Sequence, residues 1–123
     1  MKAALLVVLI AGSARAGDAV NGQKIVADRT LSACLLCHSG PFPAKYLQGT
    51  IGPPLDGVAD RLSVDELRQR LVDPSRFNPD TVMPAYGNTA GLNRVGTAWH
   101  GRPILTPPQI EDVVAFLATL HGK

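Results

Sequence analysis

The chain is poor in aromatic residues, in cysteine and in long apolar runs. Its 123 residues include one Trp, two Tyr and three Phe. A small domain of this kind buries a limited fraction of its surface, so its own core is thin. With only two cysteines, a zinc site would need two further ligands from elsewhere. The longest apolar run, residues 3–11, is too short to span a bilayer, which takes about 20 residues.

Without residues 1–16, the chain also lacks an excess of positive or negative charge. A positive start, the apolar run and a final Ala-x-Ala predict a cleaved signal peptide at residues 1–16. Cleavage would leave 123 − 16 = 107 residues, enough for one domain at residues 17–123. Removing Lys2 and Arg15 lowers Lys+Arg from 12 to 10, against 10 Asp+Glu. This balance does not support binding to nucleic acid or to an anionic membrane. The expected protein is exported and has no membrane span.

The most informative motif is Cys-x-x-Cys-His, formed by Cys34, Cys37 and His38. This run is typical of covalent attachment of one haem c, with the histidine as a ligand of the iron. A disulfide between the two cysteines would close a very short loop and would leave the histidine unexplained. A thioredoxin-like pair would need a strand–helix–strand context, which the sequence does not show. For a zinc site, His100 and His121 are not suitably arranged.

Met83 is the predicted second axial ligand of the iron. Once Met1 is removed it is the only methionine, and it lies in a turn-rich loop beside a proline. A methionine is usually core filler, but a single one in such a loop suits a soft, neutral ligand that raises the reduction potential. His100 and His121 are the rival ligands, although each could equally be a surface residue.

The loop at residues 51–55 is the expected support for the axial histidine. A ligating histidine almost always donates its other N–H to a carbonyl or a carboxylate. The carbonyl of Pro53 is a good acceptor for His38, although a plain turn is the simpler interpretation. Tyr86 and Trp99 could line either the haem or a partner interface, and the sequence does not decide between these roles.

Two helices can be predicted from their capping residues in the first two thirds of the chain. Asp18 can cap a helix to about Arg29, in which Gly22 indicates close approach by another backbone. The sequence Ser63-x-x-Glu is a capping box that opens a second helix, which stops at Asp73-Pro74. Arg68 and Arg70 are expected on the solvated face of that helix.

A third helix begins after Thr106, where Gln109 completes a capping box, and is expected to end at Gly122. Its apolar stripe consists of Ile110, Val113, Val114, Leu117 and Leu120. We expect this stripe to pack against the first helix. The remaining stretches, 39–62 and 74–105, are unusually long for loops. These features predict an all-α fold with about three main helices and long loops wrapped around one haem.

Several longer motifs resemble known proteins. The order Cys34-x-x-Cys37-His38, Gly52-Pro53-x-Leu55 and Met83-Pro84 resembles that of a class I cytochrome c. More specific stretches resemble the SoxX family, the monohaem subunit of the SoxAX cytochrome in periplasmic thiosulfate oxidation. They are Leu71-Val72-Asp73-Pro74, Asn78-Pro79-Asp80-Thr81-Val82-Met83-Pro84-Ala85-Tyr86, Leu92-Asn93-Arg94-Val95, Pro103-Ile104-Leu105-Thr106 and Ile110-Glu111-Asp112-Val113-Val114-Ala115-Phe116-Leu117.

The resemblance implies a class I cytochrome c fold, a role for each site residue, and three partners. Cys34 and Cys37 would hold the haem, His38 and Met83 would be its axial ligands, and Pro53 would accept the histidine N–H. A SoxA-like cytochrome with one or two haems would form a heterodimer with this chain and carry the catalytic haem. There thiosulfate would be joined oxidatively to a cysteine of the carrier SoxY, and the electrons would pass through this chain to a small cytochrome c.

Two other functions compete with this one. A free electron carrier to an oxidase or a reaction centre would be a monomer with a charged ring around the haem edge. A ligand-binding or peroxidase-like haem protein would require Met83 to leave the iron. No nucleophile–base pair or paired carboxylates stand out, so no catalytic residue is predicted.

Overall fold

The computed structural model describes residues 16–123, and the predicted signal peptide therefore lies outside the described residues except for Ala16. The described part contains four α-helices and no β-strand. They are α1 (Ala19–Ala27), α2 (Val58–Arg61), α3 (Val64–Val72) and α4 (Pro107–Leu117). Short 3₁₀ turns lie at Cys34–Leu36, Lys45–Leu47, Pro74–Arg76 and Thr97–Trp99. The all-α prediction is confirmed.

The three long helices begin where their capping residues predict. The Asp18 side chain accepts hydrogen bonds from the first N–H groups of α1. Ser63 and Thr106 each form a complete capping box, at the starts of α3 and α4. These polar side chains satisfy N–H groups that have no partner inside the helix, which fixes where each helix begins.

The core is centred on the contact between α1 and α4, as expected from the sequence. A Cβ placed on Gly22 would overlap the carbonyl oxygen of Asp112, so the two helices can approach this closely only with glycine there. The side chains of Val26 and Val113 are almost fully buried between the packed elements. Helix α3 also contacts α4. The prediction of a close approach at Gly22 is confirmed.

The last helix is shorter than predicted, ending at Leu117 and not at Gly122. The residues after it turn toward α2, where the Ala59 N–H donates to the Leu120 carbonyl at 3.1 Å. The Asp60 carboxylate accepts from the Gly122 N–H at 2.6 Å. These tertiary hydrogen bonds replace the ones that further helical turns would supply.

Arg70 is half-buried, with its guanidinium 4.3 Å from the centre of the Phe77 ring, and, contrary to expectation, is not fully solvated. Arg68 is likewise only partly exposed, at 35%. Its Nε and Nη2 atoms donate to the two carboxylate oxygens of Glu111 on α4, at 2.6 and 3.0 Å. Its Nη1 atom donates to Asp65 at 2.5 Å. Arg68 therefore joins α3 to α4 by a two-point ion pair.

Candidate functional site

The Cys-x-x-Cys-His motif forms a tight turn directly after a left-handed residue. Ala33 has φ 54° and ψ 22°, and the 3₁₀ turn Cys34–Leu36 follows it. The carbonyl of Cys34 accepts from the N–H groups of Cys37 and His38, at 3.1 and 3.0 Å. Both thiols are free and both side chains are half-buried. The motif is thus held together by its own backbone, with both thiols available for bonding.

His38 is hydrogen-bonded to the loop that the sequence singled out. Its Nδ1 atom lies 2.6 Å from the Pro53 carbonyl oxygen. Because a carbonyl can only accept, this bond requires the ring proton to be on Nδ1, which leaves the Nε2 lone pair for another partner. The Gly52 N–H donates to the Cys37 carbonyl at 2.7 Å, which brings the loop and the motif together.

Two glycines allow this loop to lie directly against the motif. A Cβ on Gly52 would lie 2.6 Å from Nδ1 and 2.8 Å from Nε2 of His38. A Cβ on Gly49 would overlap the Leu36 carbonyl oxygen. Both positions therefore exclude any larger residue unless neighbouring atoms move. Gly52 was part of a motif quoted from the sequence, but its contact with the histidine ring was not foreseen.

Met83 lies in an extended loop and is half-buried against the core. Its N–H donates to the Thr81 hydroxyl at 3.2 Å, while the preceding Val82 is exposed. Three residues further on, the Tyr86 N–H donates to the Leu71 carbonyl at 2.9 Å. The loop is thereby fixed to the end of α3, and the axial role of Met83 stays a prediction.

The two rival histidines are both exposed and have local partners. His100 Nε2 lies 2.7 Å from the Val95 carbonyl. His121 Nδ1 lies 2.6 Å from a carboxylate oxygen of Asp60. Each ring already donates one hydrogen bond within its own surface region, which is what an ordinary surface histidine does.

Tyr86 joins the methionine loop to the cysteine motif. Its side chain is only 4% exposed, and its hydroxyl donates to the Ser32 carbonyl at 2.6 Å. The Cys34 sulfur lies 3.9 Å from the same hydroxyl oxygen. Burial raises the pKa of Tyr86 well above its ordinary value. Burial also raises the pKa of the Cys34 thiol, while hydrogen bonding from Ser32 and Tyr86 acts in the opposite direction.

The other aromatic candidate has a different environment. Trp99 is 60% exposed, and the guanidinium of Arg102 lies 5.5 Å from the centre of its ring. Sequence reasoning left both aromatic residues undecided. In the described residues Tyr86 belongs to the interior beside the motif, whereas Trp99 is on the surface.

The residues present fit a covalently attached haem. Two free thiols stand one turn apart, a histidine directly follows the second one, and its remaining nitrogen has a lone pair. The Gly52 contact shows that the loop leaves no spare room behind the ring, so the histidine can take only a narrow range of orientations. This combination of two thioether-forming sulfurs and one imidazole is the donor set that haem c requires.

Within residues 16–123, no helix is long and apolar enough to cross a membrane. In the same part of the chain, no three His, Cys, Asp or Glu side chains cluster so that they could hold a metal ion.

Comparison with known proteins agrees with the geometry. The family model for cytochrome c matches residues 19–121. A chain in the crystal structure of SoxXA from P. pantotrophus is 35% identical in sequence and superposes with a TM-score of 0.80. The match covers 93% of this chain and 89% of the other. No curated protein matches the chain.

Proposed function

Because this chain belongs to the cytochrome c family and is a SoxX-type cytochrome, we propose that it is the electron-transfer subunit of a SoxAX-type complex. Its partner would be a SoxA-like cytochrome with one or two haems. The complex would oxidatively couple thiosulfate to a cysteine of a SoxY-type carrier, as an L-cysteine S-thiosulfotransferase. Loss of two electrons accompanies formation of the new sulfur–sulfur bond. This chain would pass those electrons to a small cytochrome c.

A cytochrome c domain carries covalent haem c, and the bound haem supplies a one-electron redox centre. We assign its attachment to Cys34 and Cys37 and its axial ligation to His38 and Met83. The Pro53 carbonyl would keep the proton of His38 on Nδ1 and hold the ring in one orientation. The thioether of Met83 is neutral and soft, so it favours the reduced iron and raises the potential.

The cysteine content supports placing the catalytic haem on the partner and electron transfer on this chain. Both cysteines of the chain belong to the attachment motif. The chain therefore has no further thiol with which to supply a cysteine-ligated catalytic haem or to carry a sulfur intermediate. In this proposal that chemistry takes place on the partner.

The strongest support for a stable partner is an exposed apolar face beside the motif. We define this face as Leu36, Tyr46, Leu47 and Ile51, which are 49%, 87%, 51% and 73% exposed. Its two segments are joined by the hydrogen bond from the Gly49 N–H to the Leu35 carbonyl, at 2.9 Å. Exposed apolar side chains on adjoining segments are typical of a protein–protein contact.

The charge around this face also favours a stable partner over transient docking. Between residues 34 and 52, Lys45 is the only Lys, Arg, Asp or Glu, and Arg29 reaches the same surface, where its Nη1 donates to the Leu47 carbonyl at 3.3 Å. No carboxylate lies in this segment. A free carrier that is steered by electrostatics would instead be expected to present a charged ring at this surface. The free carrier remains the alternative against which the complex is tested.

Function in the periplasm is part of the same proposal. The positive start, apolar run and Ala-x-Ala sequence at residues 1–16 support export and cleavage before Gly17. Removal of the peptide would leave a cytochrome c domain at residues 17–123.

Native mass spectrometry of the tagged protein from the periplasm of its own host tests the assembly. The expected species is a chain beginning at Gly17 with one covalent haem, bound one-to-one to a larger cytochrome. Ile51→Lys should weaken that complex, because it places a charge on the apolar face. Val20→Lys is a matched control at a 64% exposed position on α1. A haem-bearing monomer under gentle conditions would favour the free carrier.

The axial ligand is tested by Met83→Ala. The variant should lose the thioether-to-iron charge-transfer band, have a lower reduction potential and bind carbon monoxide rapidly in its ferrous form. An unchanged spectrum would refute the assignment of Met83 and would direct attention to His100. Rapid carbon monoxide binding by the unaltered protein would instead support a ligand-binding haem protein.

A further inference from the structure

Met83 is half-buried against the core, but the hydrogen bond of its backbone N–H is purely local. Its backbone bond is to Thr81, two residues earlier in the same loop, and its neighbour Val82 is 81% exposed. A metal ligand on such a loop must be held in place by residues elsewhere, because a small displacement would remove its sulfur from the metal.

The downstream end of the loop is firmly held. The N–H groups of Tyr86, Gly87 and Asn88 donate to carbonyls at the end of α3, at 2.9, 3.3 and 3.1 Å. In addition, the Asn88 side chain donates to the Asp73 carboxylate at 2.9 Å. These bonds fix the loop to α3, but they do not join it to the segment that carries the attachment motif.

The Tyr86 side chain makes that second connection. Its hydroxyl donates to the Ser32 carbonyl at 2.6 Å, across 54 positions of sequence, and lies 3.9 Å from the Cys34 sulfur. Both the ring and the Ser32 residue are buried, at 4% and 3% exposure. In an environment without water to replace it, this hydrogen bond is costly to break.

We propose that Tyr86 is a positioning residue for the sixth ligand: its buried hydroxyl holds the Met83 loop against the segment that attaches the haem. This inference rests on the axial assignment of Met83 under the proposed function. Opening the loop to release the sulfur would require breaking the bond to Ser32. Tyr86 therefore favours the closed, methionine-ligated state without touching the iron.

Tyr86→Phe isolates the hydroxyl, since it retains the ring that fills the core. The variant should keep the thioether-to-iron charge-transfer band at room temperature. Its ferric form should bind imidazole about five- to tenfold more tightly, because a competing ligand binds only the open state and one buried hydrogen bond no longer opposes opening. Thr119→Val removes a hydroxyl that donates to the Phe116 carbonyl at 2.6 Å, outside the Met83 loop and the attachment segment, and should leave imidazole affinity unchanged.

A general loss of stability must be separated from this local effect. Val113→Ala weakens the contact between α1 and α4 at a residue that is 1% exposed, without altering Tyr86. If that variant raised imidazole affinity as much as Tyr86→Phe at equal loss of global stability, the effect would be general and the proposal would be refuted. Unchanged affinity in Tyr86→Phe would refute it equally. Failure of Met83→Ala to alter the spectrum would overturn the axial assignment instead.

The unaltered holoprotein supplies a test that does not depend on any variant folding. In the diamagnetic ferrous state, proton NMR should show a slowly exchanging Tyr86 hydroxyl proton with a cross-peak to Ser32. A hydroxyl proton in fast exchange with water would show that the bond does not restrain the loop, and the proposal would fail.

Discussion

Replacing Gly52 by alanine is expected to destabilise the holoprotein by about 2–4 kcal/mol. The added Cβ would lie 2.6 Å from Nδ1 and 2.8 Å from Nε2 of His38, whereas carbon contacts are comfortable at about 3.5–4.0 Å. The ring must therefore retreat by about 1 Å, and overpacking of this kind costs about 1–3 kcal/mol. Such a shift would also disrupt the 2.6 Å bond to Pro53, at about 1 kcal/mol.

The assay is urea unfolding followed by haem absorbance, together with measurement of the reduction potential. Gly96→Ala is the matched control, because a Cβ there would meet only the Trp99 ring, at 3.9 Å. The Gly52 variant should unfold at lower urea than the control and should show an altered potential, since the axial histidine is reoriented. Equal stability and equal potential in the two variants would contradict the close contact between Gly52 and His38.

Two further predictions concern the ion pair between helices and the stability in acid. Glu111→Gln should lower the free energy of unfolding by at most about 1 kcal/mol, and by less in high salt, because Glu111 and Arg68 are both about one-third exposed. Chemical denaturation of the variant and the unaltered protein at two salt concentrations measures this difference. Hydrogen bonds from the Ser75 hydroxyl, and then from the Asn88 amide, lower the pKa of Asp73 below its ordinary 3.8. The stabilisation by the Asp73 carboxylate is therefore present above pH 3.8 and is lost as the pH falls through the lowered pKa. In unfolding curves, the stability difference between the unaltered protein and Asp73→Asn should shrink below about pH 4, and a constant difference would contradict this prediction.

The parts of the fold that local chemistry controls could be predicted from sequence. Asp18, Ser63 and Thr106 identified the starts of three helices, because a capping side chain acts within three residues of itself. The motif around Cys34 and His38 was equally evident, since its chemistry is contained in five consecutive residues.

Features that depend on distant partners could not be predicted in this way. Helix α2 begins after Gly57 without a side-chain cap. Its four residues are too few to show the hydrophobic periodicity from which a helix is predicted. The true end of α4 depends on Asp60, which captures the residues that follow the helix. The link from Tyr86 to Ser32 spans 54 positions, and no local pattern in the sequence indicates that the two meet.

The close contact between Gly22 and the Asp112 backbone has a consequence for the order in which the chain can fold. Asp112 belongs to α4 and comes about ninety positions after Gly22 in the sequence. During synthesis from the amino terminus, the attachment motif is therefore complete long before its domain can close. Until residues 107–117 have been made, α1 lacks the helix that forms its main packing contact. A long-range closure of this kind is slow compared with local helix formation, so the nascent chain passes through an open stage in which its two thiols remain accessible.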